Sequence, residues 1–224
     1  MTLPFDPEIE PDPETRDQLI MSLNKRFSNP RHGVHVSDLI YCLRLAVFRK
    51  LTPKPHTEKE LCNFASGIAC HELIQDLHGA KREVEHVWEG ITATIDLLDT
   101  AKPTEIKSTK SYDHGINPHW IRQLAYYCAV RGVNVGKLII LYLSLQKPTK
   151  KNPHPDLKII KTHKVTFRDL DVIRREILER RDRFVKACEE KDPALAPKAD
   201  PEIAWLCRGC DYRTECVALE ADHR

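Results

Sequence analysis

Asp96 interrupts an apolar run, Ile95-Asp96-Leu97-Leu98, and a little further on Glu105 and Lys107 flank Ile106. Side chains alternate along a strand, so Glu105 and Lys107 share one face while Ile106 points to the other. A hairpin between the two strands would bring Asp96 beside Glu105. Two neighbouring carboxylates repel unless a cation accompanies them, which points to a divalent metal. Such a metal activates water and stabilises charge on a phosphate, with Lys107 neutralising the transition state or orienting the nucleophile. The same three residues also fit an exposed cross-strand Glu–Lys pair near a turn.

Three further positions bear on the choice. His71 lies three residues from both Ile68 and Ile74, which turns it inward on a helix as a core residue or a neutral imidazole ligand. Gln123 and Tyr127 are four apart and project together, either to orient water, phosphate or Lys107, or to pack half-buried.

The chain has eight cysteines. Cys62, Cys70, Cys128 and Cys188 fall in helix-like segments and read as small core residues. Cys207, Cys210 and Cys216 follow C-x2-C-x5-C spacing, a metal-site signal that leaves a fourth position for Cys42. Four thiolates suit Zn²⁺ as well as a 4Fe–4S cluster.

The elements that must carry these residues are legible in outline. Ser37 is a good N-cap for a helix through Leu39, Leu43, Val47 and Phe48, with Cys42 in its middle. Thr57-Glu58-Lys59-Glu60 forms a capping box opening a helix to about His78. Strands are expected at Glu83–Trp88, Ile91–Leu98 and Thr104–Ser108, with a turn containing Asp99, Lys102 and Pro103 between the last two. Trp120–Val130 reads as a helix and Leu138–Leu145 as a central strand. After a polar loop over 146–156, Lys158–Phe167 reads as a strand and Arg168–Glu190 as a long charged helix. This order predicts a single α/β domain with a mixed sheet flanked by helices.

Composition narrows the function classes. With 224 residues, 41% apolar and 30% charged, the chain suits one globular core. No apolar run reaches the ~18–20 residues a membrane span needs. MTLPFDPEIEPDPE lacks a basic start followed by an apolar stretch, so it does not read as a signal peptide, and a cytoplasmic location is expected. The net charge of +2 hides an uneven distribution. Residues 1–17 carry six acids and one base, whereas Lys102–Arg168 holds 13 Lys/Arg and three acids. That block would attract a polyanion, with Lys110, Arg122, Lys147, Lys150 and Lys151 as phosphate contacts or merely solvated charge. Tyr112 and Trp120 would stack on bases or pack internally.

The order of these features resembles the RecB-like branch of the PD-(D/E)XK nucleases. Gly67 and His71 in GIACH, Asp96 in IDLL, Glu105 and Lys107 in EIK, and Gln123 with Tyr127 in QLAYY match its successive motifs. Ala93 departs from the pattern, where relatives usually have glycine. The resemblance implies a restriction-endonuclease-like fold and Mg²⁺ or Mn²⁺ held by His71, Asp96, Glu105 and the carbonyl of Ile106. It implies catalytic roles for Asp96, Glu105, Lys107, Gln123 and Tyr127.

The segment VSDLIYCLRLAVFRK around Cys42 resembles the N-terminal cluster segment of iron–sulfur RecB-like nucleases. With the three C-terminal cysteines, residues 34–218 resemble the CRISPR-associated RecB-like exonuclease family. That similarity favours a 4Fe–4S cluster on Cys42, Cys207, Cys210 and Cys216 over Zn²⁺. It divides the chain into an acidic, Pro-rich tail at 1–33 and one nuclease domain at 34–224, in which 34–56 and 191–224 form an iron–sulfur subdomain. It further implies trimming of DNA ends, typically single-stranded, for the CRISPR adaptation integrase, by exonuclease and some endonuclease activity. The same chemistry would serve DNA repair or mobile-element replication. A non-catalytic DNA-binding scaffold is the other alternative, against which the intact Asp96, Glu105 and Lys107 set argues.

Overall fold

Among the described residues six strands form one mixed sheet, and their alternation decides which face each helix covers. The computed structural model describes residues 11–28, 31–110, 115–143 and 160–222. Its strands are β1 (Val34–His35), β2 (Lys81–Trp88), β3 (Ile91–Asp99), β4 (Lys102–Thr109), β5 (Val135–Tyr142) and β6 (Ile160–Thr166). Its helices are α1 (Pro13–Phe27), α2 (Leu43–Leu51), α3 (Glu58–His78), α4 (Pro118–Arg131), α5 (Leu170–Glu189) and α6 (Arg213–Asp222). The strand order is β1-β3-β4-β5-β6, with β2 also pairing β3. β4 and β5 run parallel, while β3 pairs antiparallel with β2 and β4.

One cluster joins Ile91, Ala93 and Ile95 of β3 to Val47 of α2, Tyr126 and Tyr127 of α4 and Phe184 of α5. A second packs Leu124 and Cys128 of α4 on Leu138 and Ile140 of β5. Gly136 makes that approach possible, because a Cβ there would lie 2.7 Å from Leu124 Cδ1 and 3.0 Å from Cys128 Sγ. A third cluster holds Leu97, Ile106, Ile139 and Leu141, covered by Cys70 and Ile74 of α3. Among the described residues, no helix is long and apolar enough to cross a membrane.

The described residues fall into two compact units, one within Met1–Arg31 and Pro55–Ser66, the other comprising His32–Lys54 and Gly67–Arg224. In the first, Asp12 caps α1 by accepting from Thr15 N at 3.0 Å, and Phe27 meets Phe64 edge-on at 5.5 Å. The expected capping box is present: Thr57 N donates to Glu60 Oε2 at 2.9 Å and Glu60 N to Thr57 Oγ1 at 3.3 Å. Part of the acidic, Pro-rich tail is therefore helical, with Asp12 capping residues 13–27 and proline at the helix start.

Two local expectations need correction. Cys42 does not sit mid-helix: a 3₁₀ turn at Val36–Leu39 ends before α2, and Cys42 is the N-cap residue. The carbonyls a continuous helix would use are bound elsewhere. Arg180 donates to the carbonyls of Leu39 (2.5 Å) and Tyr41, and Arg122 to that of Ile40 (3.3 Å). Cys62 is exposed rather than a core residue, whereas Cys128 is buried. The loop over 146–156 lies outside the described residues.

Candidate active site

β3 and β4 pair only from Leu97↔Thr104 to Asp99↔Lys102, although both strands continue beyond. The same edge of β3 pairs with β1 at Ile91 and Thr92, so its middle has no strand partner on that side among the described residues. On the other edge the β2 register skips Glu83 and Asp96, and Glu83 has a positive φ of 43°. Asp96 thus sits where the ladder is interrupted on both sides. The expected proximity to Glu105 arises at diverging strands rather than as a ladder pair.

Side-chain bonds replace the missing ladder. Asp96 Oδ2 accepts from the main-chain N of Ile106 at 2.7 Å, and His71 Nδ1 lies 3.7 Å from Asp96 Oδ1. Gln75, one turn after His71 on α3, donates through Nε2 to the Asp96 carbonyl at 2.9 Å. Ile106 is fully buried against α3, which commits Glu105 and Lys107 to the opposite face. Turning the strand over would forfeit about 1.5–3 kcal/mol for that isoleucine alone, besides burying two charges on the apolar side.

Glu105 is 0% exposed. Lys107 Nζ forms an ion pair with its Oε1, and its Oε2 has no hydrogen-bond partner among the described residues. Lys107 also donates to Gln123 Oε1 at 2.9 Å, and Gln123 Nε2 donates to Tyr127 Oη at 2.9 Å. Burial, then the charge of Asp96, pushes the Glu105 carboxyl up to about 8 against the opposing pull of Lys107. Burial likewise raises Asp96, partly offset by His71, the Ile106 N–H and Lys107. Burial alone would lower Lys107, but Glu105, Asp96 and Tyr41 outweigh it and hold the ammonium above its usual range.

The structure therefore brings His71, Asp96, Glu105, Lys107, Gln123 and Tyr127 to one place. A profile of the PD-(D/E)XK nuclease superfamily matches residues 41–217, which span these residues and most of the chain. The chain belongs to the PD-(D/E)XK nuclease superfamily. No curated protein matches it. Among solved structures it is similar to SSO0001, with a TM-score of 0.59 and 17% identity over 90% of this chain and 94% of that one. It is also similar to an alkaline exonuclease (LHK-Exo) from Laribacter hongkongensis, with a TM-score of 0.45 and 14% identity over 78% and 93%. These identities speak to fold alone.

PD-(D/E)XK nucleases typically use Mg²⁺ or Mn²⁺, and the donor chemistry of this member fits. One imidazole and two carboxylates offer the nitrogen and oxygen donors such ions take. The orphaned, buried Oε2 of Glu105 is the kind of atom an ion would satisfy. Among the described residues, no three His, Cys, Asp or Glu side chains converge closely enough to enclose an ion. In this geometry the Lys107 ammonium is the cation paired with Glu105.

Sequence reasoning missed two residues of this nuclease. Gln75 is 3% exposed, and its only signal was its place four residues after His71 on the same helical face. Tyr41 packs its ring on His119 at 4.7 Å and lies within electrostatic reach of Lys107 and Glu105. Of the expected phosphate contacts, Lys110 is exposed. Arg122 is engaged by Glu176 at 3.3 Å and by the Ile40 carbonyl, so it is an internal tie as well as a charge. Lys147, Lys150, Lys151 and Tyr112 lie outside the described residues. Trp120 packs against the α4–β5 cluster.

The α2 segment and the C-terminal residues meet around the cysteines. Burial raises the Cys42 thiol, with Cys207 and Cys216 adding to it, and burial raises Cys210, with Cys42 and Cys207 adding. Arg44 donates to the Ala196 carbonyl (3.1 Å), pairs with Glu220 (3.3 Å) and reaches Cys216 Sγ at 3.7 Å. Tyr212 accepts from Lys54 N at 3.1 Å, donates to the Thr52 carbonyl at 2.7 Å and stacks on Phe48 at 5.3 Å.

Proposed function

We propose that this protein is a metal-dependent DNA exonuclease, with some endonuclease activity, that trims DNA ends, typically single-stranded, for CRISPR spacer acquisition. The observation that carries the nuclease assignment is the meeting of Asp96, Glu105 and Lys107 where β3 and β4 diverge. His71, Asp96, Glu105 and the Ile106 carbonyl hold Mg²⁺ or Mn²⁺. When bound, such an ion would supply Lewis-acid stabilisation of phosphate charge and activation of water. Lys107 keeps its ammonium protonated in a buried site and directs positive charge toward the reacting phosphate. Gln123 fixes the direction of that ammonium, and Tyr127 fixes Gln123. Such preset dipoles need no reorganisation as charge develops.

The basic block supplies the attraction for DNA, through Lys110 and, outside the described residues, Lys147, Lys150 and Lys151. Cys42, Cys207, Cys210 and Cys216 would hold a 4Fe–4S cluster, which would tie α2 to the C-terminal residues. Thiolate donors fit that group, and the family resemblance of the two cysteine segments favours it over Zn²⁺. The CRISPR adaptation integrase is the partner this role implies, and a pull-down with its subunits would test that association.

The decisive assay is a time course on end-labelled single- and double-stranded DNA with Mn²⁺. Wild type should shorten the label progressively, and Glu105→Ala should lose roughly 10²–10³-fold in rate. A Glu105→Ala variant as active as wild type would sink the assignment.

A further inference from the structure

Among the described residues, Asp96 has no register partner on β2, where Glu83 turns into the left-handed region, and none on β4. A main-chain carbonyl shielded from water and left without a donor is costly. Gln75 meets that need from outside the sheet: its Nε2 donates to the Asp96 carbonyl at 2.9 Å. Gln75 is one of only four polar or charged side chains buried among the described residues, another being Glu105. An amide so placed on the apolar side of a helix is costly unless its bond is made.

The same helix reaches Asp96 twice. His71 faces its carboxylate at Oδ1, and Gln75, one turn later, holds its backbone. Meanwhile Oδ2 is engaged by Ile106 N. With its carbonyl and Oδ2 restrained, Asp96 can swing the oxygen that faces His71 very little. The Lys107 arm is restrained separately, by Gln123 and Tyr127 on α4.

We infer that Gln75 is a positioning residue for metal binding: by clamping the Asp96 carbonyl where the sheet ladder is interrupted, it sets the aim of the Asp96 carboxylate and hence the affinity for the divalent ion. This rests on Asp96 being a metal ligand, as proposed above. Gln75 engages the main chain of Asp96 rather than its carboxylate, and it acts on affinity rather than on the Lys107 arm.

Mn²⁺ binding tests this directly. Full-length wild type, Gln75→Met and Gln75→Leu are titrated with Mn²⁺ by calorimetry, and their melting is recorded in chelator. Outer partners of metal ligands typically contribute about 10- to 100-fold in affinity, so the Mn²⁺ Kd of Gln75→Met should rise by that much. Its melting transition in chelator should stay cooperative and fall by only the few degrees that loss of one hydrogen bond costs. In DNA hydrolysis the variant should need correspondingly more Mn²⁺ for half-maximal rate and regain most of the wild-type rate at saturation. A folded variant with wild-type Mn²⁺ affinity overturns the inference, as does a rate deficit that saturating Mn²⁺ leaves in place. Failure of both variants to fold makes Gln75 a packing residue and overturns it too. Asp96→Asn keeps the two proposals apart: if it binds Mn²⁺ like wild type, Asp96 is no ligand and the site assignment itself fails.

Discussion

Asp96 Oδ2 accepts a hydrogen bond from the main-chain N of Ile106 at 2.7 Å, which ties β3 to the residue between Glu105 and Lys107. Asp96 therefore has one oxygen bonded to the β4 backbone and one that faces His71. Asp96→Asn can still offer an oxygen to Ile106 and should fold nearly as stably, yet lose metal affinity. Asp96→Ala leaves the buried Ile106 N–H without an acceptor and should lose about 1–3 kcal/mol in urea unfolding. Equal stability of the alanine and asparagine variants would contradict this division.

Glu105 gives the metal-free protein a definite pH response. Its folded pKa of about 8 lies above the ordinary 4.5, so the folded state holds an extra proton between those values. The stability linked to that proton is fully present below 4.5 and is lost as pH rises through about 8. A divalent ion must displace the proton, so ion binding strengthens over the same interval. Melting temperatures from about pH 5.5 to about pH 8.5 should fall in chelator, while the increment added by Mn²⁺ grows with pH. A Mn²⁺ increment independent of pH would rule this out.

Gln123 holds Lys107 by a single bond and is held by Tyr127 in turn. Misdirecting a reacting group by about 1 Å can cost 10²-fold, so Gln123→Ala should lower kcat by about that factor while leaving Mn²⁺ affinity within about twofold. Tyr127→Phe should show a smaller loss of the same kind. Loss of Mn²⁺ binding in Gln123→Ala would instead place Gln123 among the ion's supports.

Two cysteines should differ sharply toward alkylation. Cys62 is exposed, whereas Cys128 is buried and its thiol is pushed up to about 12 by that burial. The thiolate is the nucleophile, so iodoacetamide should label Cys62 in the native protein and leave Cys128 untouched until denaturant is added. Peptide mass mapping reads both sites in one experiment.

The cysteine clasp can be judged by colour. Protein purified without air should be brown, with broad visible charge-transfer absorption, and Cys207→Ser should weaken that absorption and lower the melting temperature. A colourless protein with stoichiometric zinc would replace the cluster by a Zn²⁺ site on the same thiolates.

What the sequence determined by itself is whatever depends on near neighbours. Alternation placed Glu105 and Lys107 on one face of β4, the four-residue spacing put Gln123 and Tyr127 together, and Thr57 with Glu60 marked the start of α3. Each follows from a period or a cap within one element. Tertiary structure alone decided the break in pairing at Asp96, the reach of Gln75 to its carbonyl, and the displacement of Cys42 to a helix N-cap. In each of these a backbone group is held by a side chain distant in sequence, Ile106 N by Asp96, the Asp96 carbonyl by Gln75, and the Leu39 and Tyr41 carbonyls by Arg180. No local pattern encodes such a bond, because the donor and acceptor meet only after the sheet and its helices have packed.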